Sequence, residues 1–288
     1  MSKSQIIFGL SILAAILILF SSAAGIGLDD GGKTYTASNF RGDDVRIYGS
    51  DGIYRNDSVQ KAVLFRGFDW ANLVISLPVL LWGIVASKKN RLIGKMAVAS
   101  VFCYLAYNYL IGAMGNAFNN LFLVWTALFS VGLFGLALLL TEKELTSLST
   151  KIGRNFPRKS LSVYLIILGL FLMSQYLMQI IPAMLTGKAP LSLEIYTTLE
   201  LAALELGIMI PLHLAGGLML WKNQPAGYVL SILLTFTAMM TFISLSVAAL
   251  IFRTQYASGV FMDLFVPIVL SFITIGFSVS IIKNIRDV

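Results

Sequence analysis

The sequence predicts an all-α integral membrane protein with eight transmembrane helices, built as two related four-helix halves. Three observations support this fold class: an apolar composition, eight apolar stretches of membrane-spanning length, and a proline-containing pattern that occurs twice. Of the 288 residues, 57% are hydrophobic and only 12% are charged. In an average soluble domain about 25% of the residues are charged. The composition therefore excludes an ordinary soluble protein.

The apolar stretches have the length that a helix needs to cross a bilayer, about 20 residues. Backbone polar groups in lipid must be satisfied within each segment, which favours helices. We expect the eight helices at 6–27, 69–87, 96–114, 121–140, 161–181, 196–220, 227–252 and 263–283. The first is interpreted as an uncleaved anchor, with a cleaved signal peptide as the alternative.

A proline-containing pattern at 73–94 occurs again at 206–227, with a constant offset of 133 positions. The matched pairs are Pro78 and Pro211, Gly83 and Gly216, Lys89 and Lys222, Asn90 and Asn223, and Gly94 and Gly227. The pattern predicts a duplicated, proline-containing helix, with the halves 1–140 and 159–288 related by a twofold axis along the membrane normal. The alternative is two unrelated helices that both end at a basic membrane edge.

The basic residues alternate from one connection to the next. Thirteen Lys and Arg residues fall on one side of the predicted membrane, whereas the short loops of the other side contain only Lys188 and Arg253. Such asymmetry marks the cytoplasmic side. We therefore expect both termini and the linker 141–158 in the cytoplasm, the segment 28–68 outside, and the protein in the plasma membrane. The net charge of +7 follows the loops and does not indicate nucleic-acid binding.

The segment 28–68 is the only long polar stretch and predicts a small external cap. After a turn at 29–32, strand-like residues at 34–40 and 45–48 predict a hairpin. Ser58 is a candidate N-cap for a short helix at 59–65 on the membrane surface.

Ionisable residues inside transmembrane helices are costly and indicate functional sites. The sixth helix contains Glu200, Glu205 and the only histidine, His213. Glu205 and His213 are eight positions apart and share one side of an ideal helix, separated by about 12 Å along its axis. That spacing is too long for one metal ion, and we expect no metal site.

Further candidate site residues lie on the second and third helices. The third helix contains Tyr104, Asn108 and Tyr109, and Asn108 falls in its outer half, where an amide needs a partner. Arg66 and Asp69 precede or begin the second helix, either as an anchoring ion pair or as the lip of an external cavity. Arg253 and Asp263 flank the last external loop as interface charges.

Each candidate also has a purely structural interpretation. Glu200 can be a solvated interface residue, His213 a hydrogen-bonded core residue, and Asn108 a contact between helices. Glu205 can belong to a structural pair with Arg66 or a tyrosine. One histidine excludes bis-histidine haem ligation, and the single Cys103 excludes an intramolecular disulfide. We expect no cofactor.

Three functions are compatible with these features. The first is binding or transport of a small molecule, ion or lipid through an outward-opening polar cavity near Glu205, Tyr104 and Asn108. The second is an enzyme that acts on a lipid, with Glu205 and His213 as acid and base. The third is a structural or assembly partner of another membrane protein. Membrane lipids are expected contacts in every case, and the sequence does not indicate an oligomeric state.

Overall fold

The computed structural model describes residues 2–28, 33–49, 51–256 and 261–285, without the side chains of 261–263. Within these ranges, eight helices are long and apolar enough to cross a membrane, which confirms the predicted all-α multi-pass fold. We number them α1 (Lys3–Gly27), α2 (Val59–Lys88), α3 (Leu92–Gly115), α4 (Phe122–Leu140), α5 (Arg158–Thr186), α6 (Glu200–Trp221), α7 (Pro225–Tyr256) and α8 (Phe261–Asn284).

Helices α3 and α7 form the centre of the protein. In their most apolar windows, 78% of α3 and 61% of α7 are buried, whereas the other helices reach 22–39%. Helix α3 packs against α2, α4 and α7, and α7 packs against α2, α6 and α8. Helix α5 packs on α6, and α1 packs on α2 and α4. The outer helices expose many large apolar side chains, as contact with lipid requires.

Helix α2 begins ten residues earlier than the sequence predicted. The helix expected on the membrane surface at 59–65 is instead the first part of α2, although Ser58 caps it as expected by accepting a hydrogen bond from the Lys61 amide. Gly67 allows this first part of α2 to pack closely on α7. A Cβ atom at this position would lie 2.6 Å from the backbone nitrogen of Ala248 and the carbonyl oxygen of Ser244. The absence of a side chain lets the first turns of α2 pack backbone against backbone on α7.

The predicted hairpin is present between α1 and α2. Strand β1 (Tyr35–Ser38) pairs antiparallel with β2 (Asp44–Ile47). Tyr48 and Tyr54 are buried, and the Tyr54 ring stacks on Trp125 of α4 with 6.1 Å between centroids. The described part of the cap therefore packs on the helix ends. The predicted turn at 29–32 and the Asp263 side chain lie outside the described residues.

The connection 141–158 between the predicted halves is folded against the helix ends on the side opposite the cap. It contains a one-turn helix, Lys143–Thr146, and a 3-10 turn, Leu148–Lys151. Leu145 and Leu148 are fully buried. Ile152 forms a backbone bridge with Ile285 at the end of α8. This connection therefore ties the first half of the chain to the last helix.

Helices α2 and α6, which carry the repeated proline-containing pattern, share local features that the sequence did not predict. Each has a five-residue π-helical turn directly before its Leu-Pro or Ile-Pro step, at Asn72–Ser76 in α2 and Glu205–Met209 in α6. These turns are again 133 positions apart. Asn90 and Asn223 adopt left-handed conformations, with φ of 55° and 60°. The agreement covers these hairpins, and duplication of the whole halves stays a prediction that superposing 1–140 on 159–288 will test.

Candidate functional site

Glu205 is the first residue of the π-helical turn in α6. Its side chain is buried, with 6% of the residue exposed. The Tyr107 hydroxyl of α3 donates a hydrogen bond to Oε1 of the carboxyl group. The other oxygen, Oε2, is buried without a hydrogen-bond partner in the described part of the chain. An unmatched carboxyl oxygen inside a membrane protein is costly unless a ligand or a proton satisfies it.

His213 lies two turns further along α6 and is 3% exposed. Its Nδ1 atom is 2.7 Å from the carbonyl oxygen of Met209. A carbonyl can only accept, so the Nδ1 atom carries a hydrogen and donates it. In the neutral ring the other nitrogen, Nε2, is then an acceptor. Nε2 is buried and lacks a partner among the described residues.

A cavity of about 200 Å³ joins these two side chains between α2, α3, α5, α6 and α7. Ten of its sixteen lining residues are apolar, so it differs from the polar cavity that we expected. The polar residues are Tyr107, Tyr176, Glu205, His213, Thr237 and Thr241. The site is therefore an apolar chamber with a few hydrogen-bonding groups, the usual composition of small-molecule sites.

A second cavity of about 370 Å³ continues from the first towards the cap. The two share Leu64, Tyr176 and Leu201, which form the boundary between them. Lys61 and Glu200 line the outer cavity and form an ion pair whose side chains are only 12% and 13% exposed. Glu200 is therefore a paired residue of the entrance and does not line the inner chamber.

The loop between α5 and α6 is held over this entrance by the cap. Asp57 accepts hydrogen bonds from the Ala117 amide at 2.7 Å and from the Tyr196 hydroxyl at 2.8 Å. Arg41 donates to the carbonyl oxygens of Glu194 and Tyr196. The Lys61 ammonium lies 4.6 Å from the centre of the Tyr196 ring. These contacts fix the outer wall of the entrance to the first half of the protein.

Burial raises the pKa of Asp57 to about 6, although its hydrogen bonds and Lys61 favour the charged form. Burial also raises the pKa of Glu194, which accepts from Ser58 in the same contact. An acid with a higher pKa in the folded than in the unfolded state stabilises the fold most at low pH. The stabilising contribution of protonated Asp57 is complete below about pH 4. It is lost as the pH rises to about 6, and above that pH it no longer changes.

We therefore expect Asp57→Asn to reduce the pH dependence of stability. The melting temperature of wild type should fall between about pH 4 and pH 6. The melting temperature of the variant should fall less, because an amide does not titrate in this range. Melting curves in one detergent across this range make the comparison, with the exposed Asp43→Asn as the control. Parallel curves for wild type and Asp57→Asn would show that the carboxyl group of Asp57 does not couple to folding.

The other predicted site residues separate into different surroundings. Tyr104 is fully buried and lies 3.3 Å from the Ser244 hydroxyl of α7, so it does not line the chamber. Arg66 donates to Tyr48 and Gln255 at the cap. Asp69 accepts from Tyr54 instead. The predicted Arg66–Asp69 unit is thus divided between two hydrogen-bond networks.

The two remaining residues from α3, Asn108 and Tyr109, are also buried away from the chamber. Tyr109 accepts a hydrogen bond from Asn72 of α2 at 3.2 Å. Glu205 was expected to pair with Arg66 or with a candidate tyrosine, Tyr104 or Tyr109. Its hydrogen bond comes instead from Tyr107, which was not among the candidate site residues. The difference has a geometric cause. Adjacent residues of a helix point about 100° apart, so a shift of one position changes which side chain of α3 faces Glu205.

Sequence reasoning missed Tyr107, Lys61 and Asp57. The aromatic cluster at 104–109 contained a signal for Tyr107, since three-residue spacing places it near the face of Tyr104. Lys61 and Asp57 had no comparable signal, because their partners, Glu200 and Tyr196, are more than 130 positions away. Comparisons of the chain with protein-family models, curated proteins and solved structures found no match.

Proposed function

We propose that the protein binds a small amphipathic molecule in the chamber beside Glu205 and transports it from the external side. The ligand has an apolar body and a hydrogen-bond-donating group, best a protonated amine. One observation carries this proposal: two buried acceptor atoms, Glu205 Oε2 and His213 Nε2, belong to one mostly apolar chamber and have no partner within the described residues.

The chemistry of the unmatched atoms selects the ligand. Neutral His213 can only accept at Nε2, and an ionised Glu205 accepts at both oxygens. An ammonium group satisfies Glu205, and His213, about 12 Å further along α6, needs a second donor on the ligand. A carboxylate ligand would instead add a second buried negative charge. A cationic group also neutralises Glu205. The chamber of about 200 Å³ is smaller than the roughly 300–1,000 Å³ of typical drug-sized sites, which favours a small ligand.

The route to the chamber supports transport from the side that carries the cap. The outer cavity reaches the chamber at Leu64, Tyr176 and Leu201, so movement of these side chains would join the two spaces. The distribution of basic loops supports a cap on the external side and termini in the cytoplasm, and we place the protein in the plasma membrane on the same ground. Duplicated halves with interrupted helices, here the π-helical turns before Pro78 and Pro211, are a common plan of transporters.

Binding of short alkylamines to the purified protein tests the proposal. We expect a protonated alkylamine to raise the melting temperature of wild type, and the matching alkyl carboxylate to have no effect. Glu205→Gln should fold but lose the amine-dependent shift. Glu144→Gln is a control, since this carboxylate lies in the cytoplasmic connection and is half exposed.

The outcomes separate binding from transport. An amine shift that persists in Glu205→Gln would contradict the proposed site. If the shift depends on Glu205, uptake of the same amine into proteoliposomes tests transport. A Glu205-dependent shift without uptake would leave the binding site intact and contradict the transport step.

A further inference from the structure

A second buried polar cluster lies between α1, α2 and α3 and does not line either cavity described above. Its centre is the Asp69 carboxyl group of α2, with 4% of the residue exposed. The Tyr54 hydroxyl donates to Asp69 Oδ2 at 2.6 Å. Tyr54 comes from the cap and is 1% exposed, so the cluster is covered from the external side.

Helix α1 packs directly onto this carboxyl group. A Cβ atom on Gly25 would lie 1.9 Å from Asp69 Oδ2, so only glycine allows this approach. Ser22, almost one turn earlier, interacts with both Asp69 and the Tyr109 hydroxyl. The serine hydroxyl is fully buried and makes no regular hydrogen bond with a described residue. Helix α1 therefore adds a second oxygen to the cluster.

Asn72 adds a further oxygen. It follows Asp69 by three residues and begins the π-helical turn of α2. Its amide nitrogen donates to Tyr109, which leaves its carbonyl oxygen Oδ1 buried and unpaired among the described residues. Asn72 is only 1% exposed.

We infer that this cluster binds a monovalent cation, with sodium as the ion to test, through Asp69, Asn72 and Ser22. Carboxylate, amide carbonyl and hydroxyl oxygens are the ligands of hard cations. Amide oxygens and hydroxyl groups without donors are unfavourable when buried, and a cation satisfies several of them at once.

The charge of the cluster selects a monovalent ion. Asp69 is the one carboxylate among the three oxygen donors Asp69, Asn72 and Ser22, so a monovalent cation balances its charge. A divalent ion would leave a net positive charge there, which is costly in a low-dielectric environment. Protonation of Asp69 would neutralise the carboxyl group but leave the Asn72 carbonyl oxygen unmatched.

Melting temperatures of the purified protein in sodium chloride and in choline chloride of equal concentration test the inference. We expect sodium to raise the melting temperature of wild type in a saturable manner. Asp69→Asn should abolish the response. Glu205→Gln is the matched control, because it removes the other buried carboxylate of the described helices and should keep the sodium response. The same control separates this site from the amine site of the proposed function.

Further variants and ions keep the test decisive. Ser22→Ala should raise the sodium concentration at half-saturation by about tenfold or more, even if Asp69→Asn does not fold. A potassium response of similar size that depends on Asp69 also supports a monovalent site. Equal melting temperatures in sodium, potassium and choline would overturn the inference. A response to calcium alone, or an unchanged sodium response in Asp69→Asn and Ser22→Ala, would overturn it as well.

Discussion

Gly94→Ala and Gly227→Ala are each expected to destabilise the protein by about 3 kcal/mol, the upper end of the usual cost of forcing atoms into a packed site. A Cβ atom on Gly94 would lie 2.5 Å from the backbone nitrogen of Ser87. On Gly227 it would lie 2.4 Å from the backbone nitrogen of Leu220. These neighbours are backbone atoms of the preceding helix, so no side-chain rotation can relieve the overlap.

The two glycines occupy matching positions in two hairpins. Each follows an asparagine in the left-handed conformation, Asn90 or Asn223, and each lies near the start of the second helix of its hairpin. Equal losses of stability for the two variants would agree with duplicated hairpins. A large loss at one glycine and none at the other would contradict the equivalence.

Unfolding in detergent, followed by circular dichroism and by the monodisperse fraction after heating, measures the effect. Gly9→Ala in α1 is the control, because no atom lies within 4 Å of its added Cβ atom. The same substitution in an uncrowded helix should be neutral or stabilising by up to about 1 kcal/mol, since alanine is the better helix former. Comparable destabilisation in all three variants would point to a general sensitivity of the helices to alanine.

The matched glycines and prolines were visible in the sequence, whereas the π-helical turns were not. Glycine and proline mark backbone requirements, and their constant spacing predicted equivalent local structure. A π-helical turn requires only a one-residue shift in hydrogen bonding, as between Ile210 and Glu205, and no residue type specifies it. The position of Glu205 at such a turn therefore emerged only from the structure.

The eight helices were predictable because the bilayer fixes their length, but several of their ends were not, most of all the start of α2 at Val59. The apolar pattern in the sequence predicts only the part of a helix that contacts lipid. Protein contacts then decide how far a helix continues, as Gly67 of α2 and Ala248 of α7 show by packing backbone against backbone. Helix α7 in turn continues to Tyr256, where its last turns meet the cap through Gln255.

The ionisable residues of the site were predictable from the sequence, whereas their hydrogen-bond partners were not. Glu205 and His213 attract attention because lipid disfavours ionisable groups. Their neighbours depend on the rotation and depth of α3, where Tyr104, Tyr107 and Asn108 lie within about one turn. Tyr104 contacts Ser244 of α7 and Tyr107 contacts Glu205 of α6, although they are only three positions apart.

Tyr107→Phe is expected to destabilise the ligand-free protein by about 1–3 kcal/mol, because it removes the donor to a buried carboxyl group and leaves that group unmatched. The loss should be smaller in the Glu205→Gln background, where no carboxylate has to be satisfied. A double-mutant cycle from the four unfolding free energies measures this coupling. A coupling free energy near zero would show that the contact between Tyr107 and Glu205 does not contribute to stability.

The same variant distinguishes a positioning role from ligand contact. In Tyr107→Phe, both oxygens of the Glu205 carboxylate lack a donor among the described residues. A bound alkylammonium group should therefore produce a larger rise in melting temperature than in wild type. Tyr104→Phe removes a hydroxyl from the same helix, but that hydroxyl faces Ser244, so its amine response should equal that of wild type. If the response disappears in Tyr107→Phe, the Tyr107 hydroxyl itself contacts the ligand, and Glu205 alone does not select the amine.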